Sequence, residues 1–215
     1  MRALGRCFPD GQLGTAALTP SMAEREDWHR CFIALVPDAA TREAFAAMPL
    51  GVAARRVPID QLHLTLAFLG SVSQEKGVPL AAALPSVVAA LPALTIERLE
   101  YWPSHAHPRL AVLAFSASDE LIALEARVRA LVAGFGLPID DHRPFRPHVT
   151  LARLSRDAKP IVSNPRAGER RRSRSEGDDA DGEPSRFDVL TLYSSTLARR
   201  GARYRPLASA PVPAH

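Results

Sequence analysis

The chain has 215 residues, 47% of them hydrophobic, and a formal net charge of +4, a length that suits one ordinary domain or two small lobes sharing a core. No apolar run is long enough to predict a membrane-spanning helix, and the first residues lack the continuous apolar stretch of a signal peptide. Cys7 and Cys31 are too few for a disulfide framework and point to a reducing cytosol, and the basic excess is a weak pointer to an anionic partner because much of it sits in one Arg-rich segment.

Residues 1–28 are punctuated by Gly and Pro without periodicity and are expected to form a disordered N-terminal extension, with Met22 an alternative start. Arg30 to Val36 is apolar on both faces, the pattern of a buried strand ended by Pro37. Asp38 is placed to cap a helix through Met48 with Ala40, Ala44, Phe45 and Met48 on one face. A strand is expected between Pro58 and Gly70, and then a helix over Val78 to Leu91 that Pro85 should kink or split. Leu94 to Tyr101 and Arg109 to Phe115 predict a hairpin around the turn Pro103 to Pro108. Ser118 can cap a helix to Gly134, along which Leu121, Leu124, Val128, Leu131 and Val132 recur at near-helical spacing. Another strand follows Pro147. From 155 to 186 the chain runs from Arg166, Arg170, Arg171, Arg172 and Arg174 into Glu176, Asp178, Asp179, Asp181 and Glu183. We read 156–185 as a self-neutralising, disordered insertion, although its basic half could touch a phosphate backbone. Phe187 to Ser194 and Tyr204 to Leu207 read as the last strands, and 210–215 as a tail. The order mixes antiparallel pairs with helices, so 29–209 is expected to be one α+β domain.

Two of these strands nearly repeat each other. His63-Leu-Thr-Leu-Ala-Phe-Leu69 and His148-Val-Thr-Leu-Ala-Arg-Leu154 agree at five of seven positions. Successive strand side chains point to opposite faces, so His63 and Thr65 share one face and Leu62, Leu64, Leu66 and Phe68 the other. His148 and Thr150 are set against Val149 and Leu151 in the same way. One imidazole-plus-hydroxyl pair on each of two similar half-structures suggests a single site made by juxtaposition.

Imidazole titrates near neutrality, so two can supply one base and one acid at the same pH. Such a pair suits in-line displacement at phosphorus, and the Thr hydroxyls can donate to the non-bridging oxygens where charge accumulates. Neither motif carries the Asp, Glu, Cys or third His that would accompany a metal, so no metal or cofactor is expected. His105 and His107 sit in a Pro-flanked turn and His142 in a polar loop, and His29 and His215 lie at chain margins; none is expected to act.

With these motifs the sequence resembles the 2H phosphoesterase superfamily, in particular LigT-type RNA 2′,3′-cyclic phosphodiesterases, the 2′–5′ RNA ligase family. The likeness runs from Arg30-x-Phe-Ile-Ala-Leu through Leu62–Gly70 and Phe145–Arg153 to Leu192-Tyr-Ser-Ser195 and Tyr204. It implies a bilobal α+β fold with two antiparallel sheets, flanking helices and a central cleft. It also implies metal-independent hydrolysis of a terminal 2′,3′-cyclic phosphate on RNA or a ribonucleotide to a 2′-phosphomonoester. His63 would be the proton donor and His148 the proton acceptor, with Thr65, Thr150 and Arg153 as phosphate ligands. Strict alternation puts Arg153 on the face away from His148, so it reaches the cleft only if the strand ends, bulges or twists there. The implied partner is an RNA or nucleotide end, with no membrane and no obligate protein partner. The alternatives are 2′–5′ joining of RNA ends by the same residues, a different cyclic or 2′–5′-linked nucleotide as substrate, or an RNA- or nucleotide-binding module without turnover.

Overall fold

The computed structural model of the protein describes residues 27–139, 144–156, 158, 184–198 and 201–214. Residues 1–26, Cys7 and Met22 among them, lie outside these, as do His142, His215 and 159–183, which make up most of the Arg- and acid-rich insertion.

The strands are β1 (Trp28–Pro37), β2 (Arg55–Arg56), β3 (Leu64–Val72), β4 (Ile96–Trp102), β5 (Leu110–Phe115), β6 (His148–Arg153), β7 (Phe187–Ala198) and β8 (Gly201–Pro211). They form one sheet in the order β4-β5-β6-β3-β1-β7-β8, with β2 added to β6. Every strand pairing is antiparallel. The two halves of the sheet meet between the motif strands β3 and β6, where the register holds a single pair, Leu64 with Val149. The two sheets expected from the family resemblance are therefore halves of one, joined at its narrowest point. Both junction residues are fully buried, each side chain contributing roughly 1.5–3 kcal/mol by leaving water.

The motif strands depart from strict alternation at the same place. On β3, Ala34 pairs with Thr65 and Ile33 with Ala67, which leaves Leu66 as an extra residue. On β6, Val112 pairs with Thr150 and Ala111 with Ala152, which leaves Leu151 as the extra residue. Each is a β-bulge one residue past the threonine, and a bulge reverses the facing of the residues beyond it. Leu66 and Ala67 are buried together, as are Leu151 and Ala152, while Phe68 is 66% exposed. The expectation that Phe68 shares the apolar face is corrected for this reason.

Three helices cover the buried side: α1 (Ala39–Ala47), α2 (Gln74–Ala83) and α3 (Asp119–Gly134). Asp38 caps α1, accepting from Thr41 N at 2.8 Å, but the helix turns Thr41 and Phe45 inward while Ala40 and Ala44 face water. Phe45 packs between Phe115 and Phe187, and this aromatic contact sets the rotation. Ser118 caps α3 through Leu121 N, and Leu121, Leu124, Val128 and Val132 enter the same core as Leu64 and Leu66. The second helix begins four residues earlier than the pattern suggested. It gives way to a 3₁₀ turn at Leu84–Val87, because Pro85 can neither donate to an α-helical bond nor fit against the preceding turn.

The edges also differ from expectation. The last strand is longer than Tyr204–Leu207 because β8 is an edge, where Pro206 and Pro211 can face away from the ladder. The described part of the expected 210–215 tail belongs to the fold: Ala210 and Val212 are buried, Val212 N donates to Asp188 O at 2.7 Å, and Ala214 bridges Leu91. Ser185, placed at the insertion boundary, is buried and exchanges two backbone hydrogen bonds with Leu94. Trp28, at the end of the expected extension, starts β1 and covers α2 at Gly77.

A Cβ at Gly77 would lie 2.4 Å from the Trp28 ring. Alanine favours helix by up to about 1 kcal/mol over glycine, yet overpacking against a ring costs about 1–3 kcal/mol. Gly77→Ala is therefore expected to lower stability in denaturant unfolding, and to raise it when combined with Trp28→Ala. A stabilising effect in both backgrounds would show that the ring does not occupy this place.

Candidate active site

Because β3 and β6 run antiparallel through the pair Leu64–Val149, the residue before each meets the residue after the other. His63 thus lies across from Thr150, and Thr65 across from His148. The two imidazoles occupy opposite corners of a four-residue arrangement on the face turned away from the helices.

Both rings are held identically. A 3₁₀ turn, Ile59–Gln61, leads into the first motif, and the Gln61 carbonyl accepts from His63 Nδ1 at 2.7 Å. The Arg146 carbonyl accepts from His148 Nδ1, also at 2.7 Å. A carbonyl only accepts, so Nδ1 carries hydrogen in each ring and Nε2 of the neutral form keeps its lone pair. Ring contacts complete the placement. His63 lies 5.0 Å from Phe32 and meets Tyr204 edge-on at 5.3 Å, with Tyr193 at 6.5 Å. His148 lies 4.4 Å from Trp102. Trp102 in turn donates through Nε1 to Glu100, and Arg146 pairs with Glu100 at 3.1 Å while its guanidinium sits 4.4 Å from the Trp102 ring.

Burial is the main cause that lowers the pKa of both histidines, and each backbone hydrogen bond opposes it. Beyond that the surroundings differ. His63 feels the positive charges of His148 and Arg153, which lower it further. His148 feels Arg146, which lowers it, and Glu100, which raises it. Glu100 is itself held below the usual carboxylate range, first by the Trp102 hydrogen bond and then by Arg98 and Arg146.

The bulge on β6 takes Arg153 off the face that strict alternation gives it. The side chain lines a hollow with Gln61 and Tyr204, the neighbours of His63. The equivalent position on β3 is Phe68, at the opposite mouth. That mouth is a hollow of about 690 Å³ lined by Thr65, Phe68, Trp102, Phe145, Arg146 and His148 among others. His29, His105 and His107 are exposed and stand apart, and among the described residues no three His, Cys, Asp or Glu side chains converge. Sequence reasoning missed Glu100 and Trp102. Their signal was present, since they are two apart on a strand and so share a face, but nothing in the sequence says that this strand flanks the second motif.

A profile of the 2′-5′ RNA ligase superfamily matches residues 39–190. The chain is 34% identical over 156 residues to the RNA 2′,3′-cyclic phosphodiesterase of Escherichia coli, covering 72% of this chain and 78% of that protein. It is 28% identical over 164 residues to the Thermotoga maritima protein of the same name, covering 74% and 80%. The crystal structure of E. coli LigT complexed with 3′-AMP superposes with a TM-score of 0.61 at 30% identity, over 87% of this chain and 99% of that one.

Nuclear magnetic resonance titration of the two rings is expected to place both below an ordinary histidine. Arg153→Gln should raise His63 toward that ordinary value and leave His148 little changed, whereas Glu100→Gln should lower His148 and spare His63. Equal responses of both rings to either change would contradict the placement of these charges.

Proposed function

The chain belongs to the 2′-5′ RNA ligase superfamily, and from that membership and the geometry of its cleft we propose that it is a phosphodiesterase hydrolysing RNA 2′,3′-cyclic phosphate by two-histidine acid–base catalysis. The observation that carries this reading is the diagonal arrangement of two imidazoles, both oriented through Nδ1, with a threonine beside each.

Water attacks phosphorus on one side and gives its proton to Nε2 of His148. The bond from phosphorus to the 3′ oxygen breaks on the other side, and His63 delivers its proton to that leaving oxygen. The 2′ bond survives, so the product is a 2′-phosphomonoester, and proton exchange with solvent resets both rings. Thr65 and Thr150 donate to the non-bridging oxygens, and Arg153 balances their charge; groups already in place for the transition state need no reorganisation when it forms. Burial first, and then the positive charges of His148 and Arg153, lower the proton affinity of His63, and its assignment as donor follows the family resemblance. At His148 burial also lowers proton affinity, with Arg146 and Glu100 acting in opposite directions, and its role as acceptor likewise follows the resemblance. A cytoplasmic setting fits the free, buried Cys31; among the described residues no helix is long and apolar enough to cross a membrane.

The expected outcomes are specific. His63→Ala and His148→Ala should each lower kcat on an RNA 2′,3′-cyclic phosphate by about 10²–10⁴-fold, and full activity should survive a chelator. The kcat/KM profile should be bell-shaped. Burial lowers both pKa values in the free enzyme, so its centre should lie below about 6.5, the value of free imidazole. Bound phosphate restores some proton affinity, so the kcat profile should sit at higher pH. Undiminished turnover in either alanine variant would remove the mechanism.

A further inference from the structure

At the mouth opposite the aromatic hollow lies one of about 200 Å³ lined by Arg55, Arg56, Arg153, Arg203, Gln61 and Tyr204 among others, with no Asp or Glu among the described residues of its walls. Four guanidinium groups come together there from three strands. β2 brings Arg55 and Arg56 by pairing with Arg153 and Ala152 of β6, and β8 brings Arg203. Arg56 is engaged, donating to the Met48 carbonyl at 2.6 Å. Arg55 and Arg203 are exposed, and among the described residues neither has a carboxylate partner.

The position of Arg55 is built. Its guanidinium rests against Gly201, which has φ +121°, and a Cβ there would come within 2.9 Å of Arg55 Nη2. A side chain at 201 would both strain the backbone and displace the arginine. Among the described residues these like charges have no carboxylate partner; they repel one another, and an anion between them relieves that repulsion. The hollow adjoins the reacting centre through Tyr204, whose ring meets His63 edge-on.

The direction of the substrate comes from the chemistry proposed for the two histidines, on which this inference rests. If His63 protonates the leaving 3′ oxygen, the ribose lies on the His63 side. The chain 5′ of that ribose then leaves the cleft through the arginine mouth, and its next charged group is a phosphodiester. We propose that this hollow binds the phosphodiester immediately 5′ of the cyclic phosphate, with Arg55 and Arg203 as its contacts, so that the enzyme selects RNA ends over free cyclic mononucleotides. Arginine suits the task because its planar fork pairs with two phosphate oxygens at once.

The test compares adenosine 2′,3′-cyclic phosphate, which has no upstream phosphate, with a short oligoadenylate ending in the same group. Wild-type kcat/KM is expected to be about tenfold higher on the oligonucleotide at low salt, and to fall with salt more steeply than on the mononucleotide. Arg55→Gln and Arg203→Gln together should abolish most of that preference and reduce the salt slope by roughly 0.7 for a lost phosphate contact. Turnover of the mononucleotide should stay within about twofold, which also shows that the variant is folded. Equal wild-type activity on both substrates, or a preference that persists in the double variant, would overturn the inference and leave the phosphodiesterase reading intact. Failure to hydrolyse either substrate would instead sink that reading and the inference with it.

Discussion

The cleft depends on one register pair. Leu64 and Val149 hold the two halves of the sheet together, and both are inaccessible to water. An antiparallel pair is a local two-fold axis, so whatever each strand carries on either side of it is reproduced across the junction. With a histidine before and a threonine after on both strands, that axis turns two ordinary strand motifs into one four-cornered site. A slip of a single residue would turn every side chain to the other face and dismantle it. The energy that prevents the slip comes from the apolar side chains beneath, not from the polar ones above.

The matching bulges at Leu66 and Leu151 extend this symmetry and then break it. Each bends its strand at the same step and re-aims the residue two places on. The backbone does the same thing twice, but the side chains delivered are different: an exposed phenylalanine on β3 and an arginine on β6. The duplicated framework thus makes a symmetric four-residue centre and an asymmetric surround, with an aromatic mouth near His148 and a cationic mouth near His63. An asymmetric surround is what two chemically equivalent imidazoles need if one is to act as acid and the other as base.

The surround also sets how strongly each ring holds its proton. Burial works against the charged form of both, a cost that an incoming phosphate anion offsets. The carbonyls of Gln61 and Arg146 fix which nitrogen faces the cleft, and they belong to the residues two before each histidine, so the motif carries its own orienting group. The aromatic rings around His63 and Trp102 beside His148 limit rotation of the imidazoles and exclude water from their flanks. Glu100 ties Trp102 and Arg146 into that wall.

The duplicated His-x-Thr strands, their apolar backing, the caps at Asp38 and Ser118 and the α+β order were legible in the sequence, because each is a local pattern: period-two alternation, a short polar side chain before a helix, or a near-repeat. Long-range pairing was not. That the expected sheets are one, that β8 runs to Pro211, that residues 210–214 pack, and that Glu100 and Trp102 flank His148 all depend on partners distant in sequence. The facing of Phe68 and Arg153 is the sharpest case. Alternation alone puts both on the buried face, and the bulges that reverse them exist only because β1 and β5 pair with β3 and β6 in a particular register. The sequence by itself determined which side chains are candidates for the cleft; the tertiary structure decided which of them share it, since a strand's register is set by its neighbour and not by its own residues.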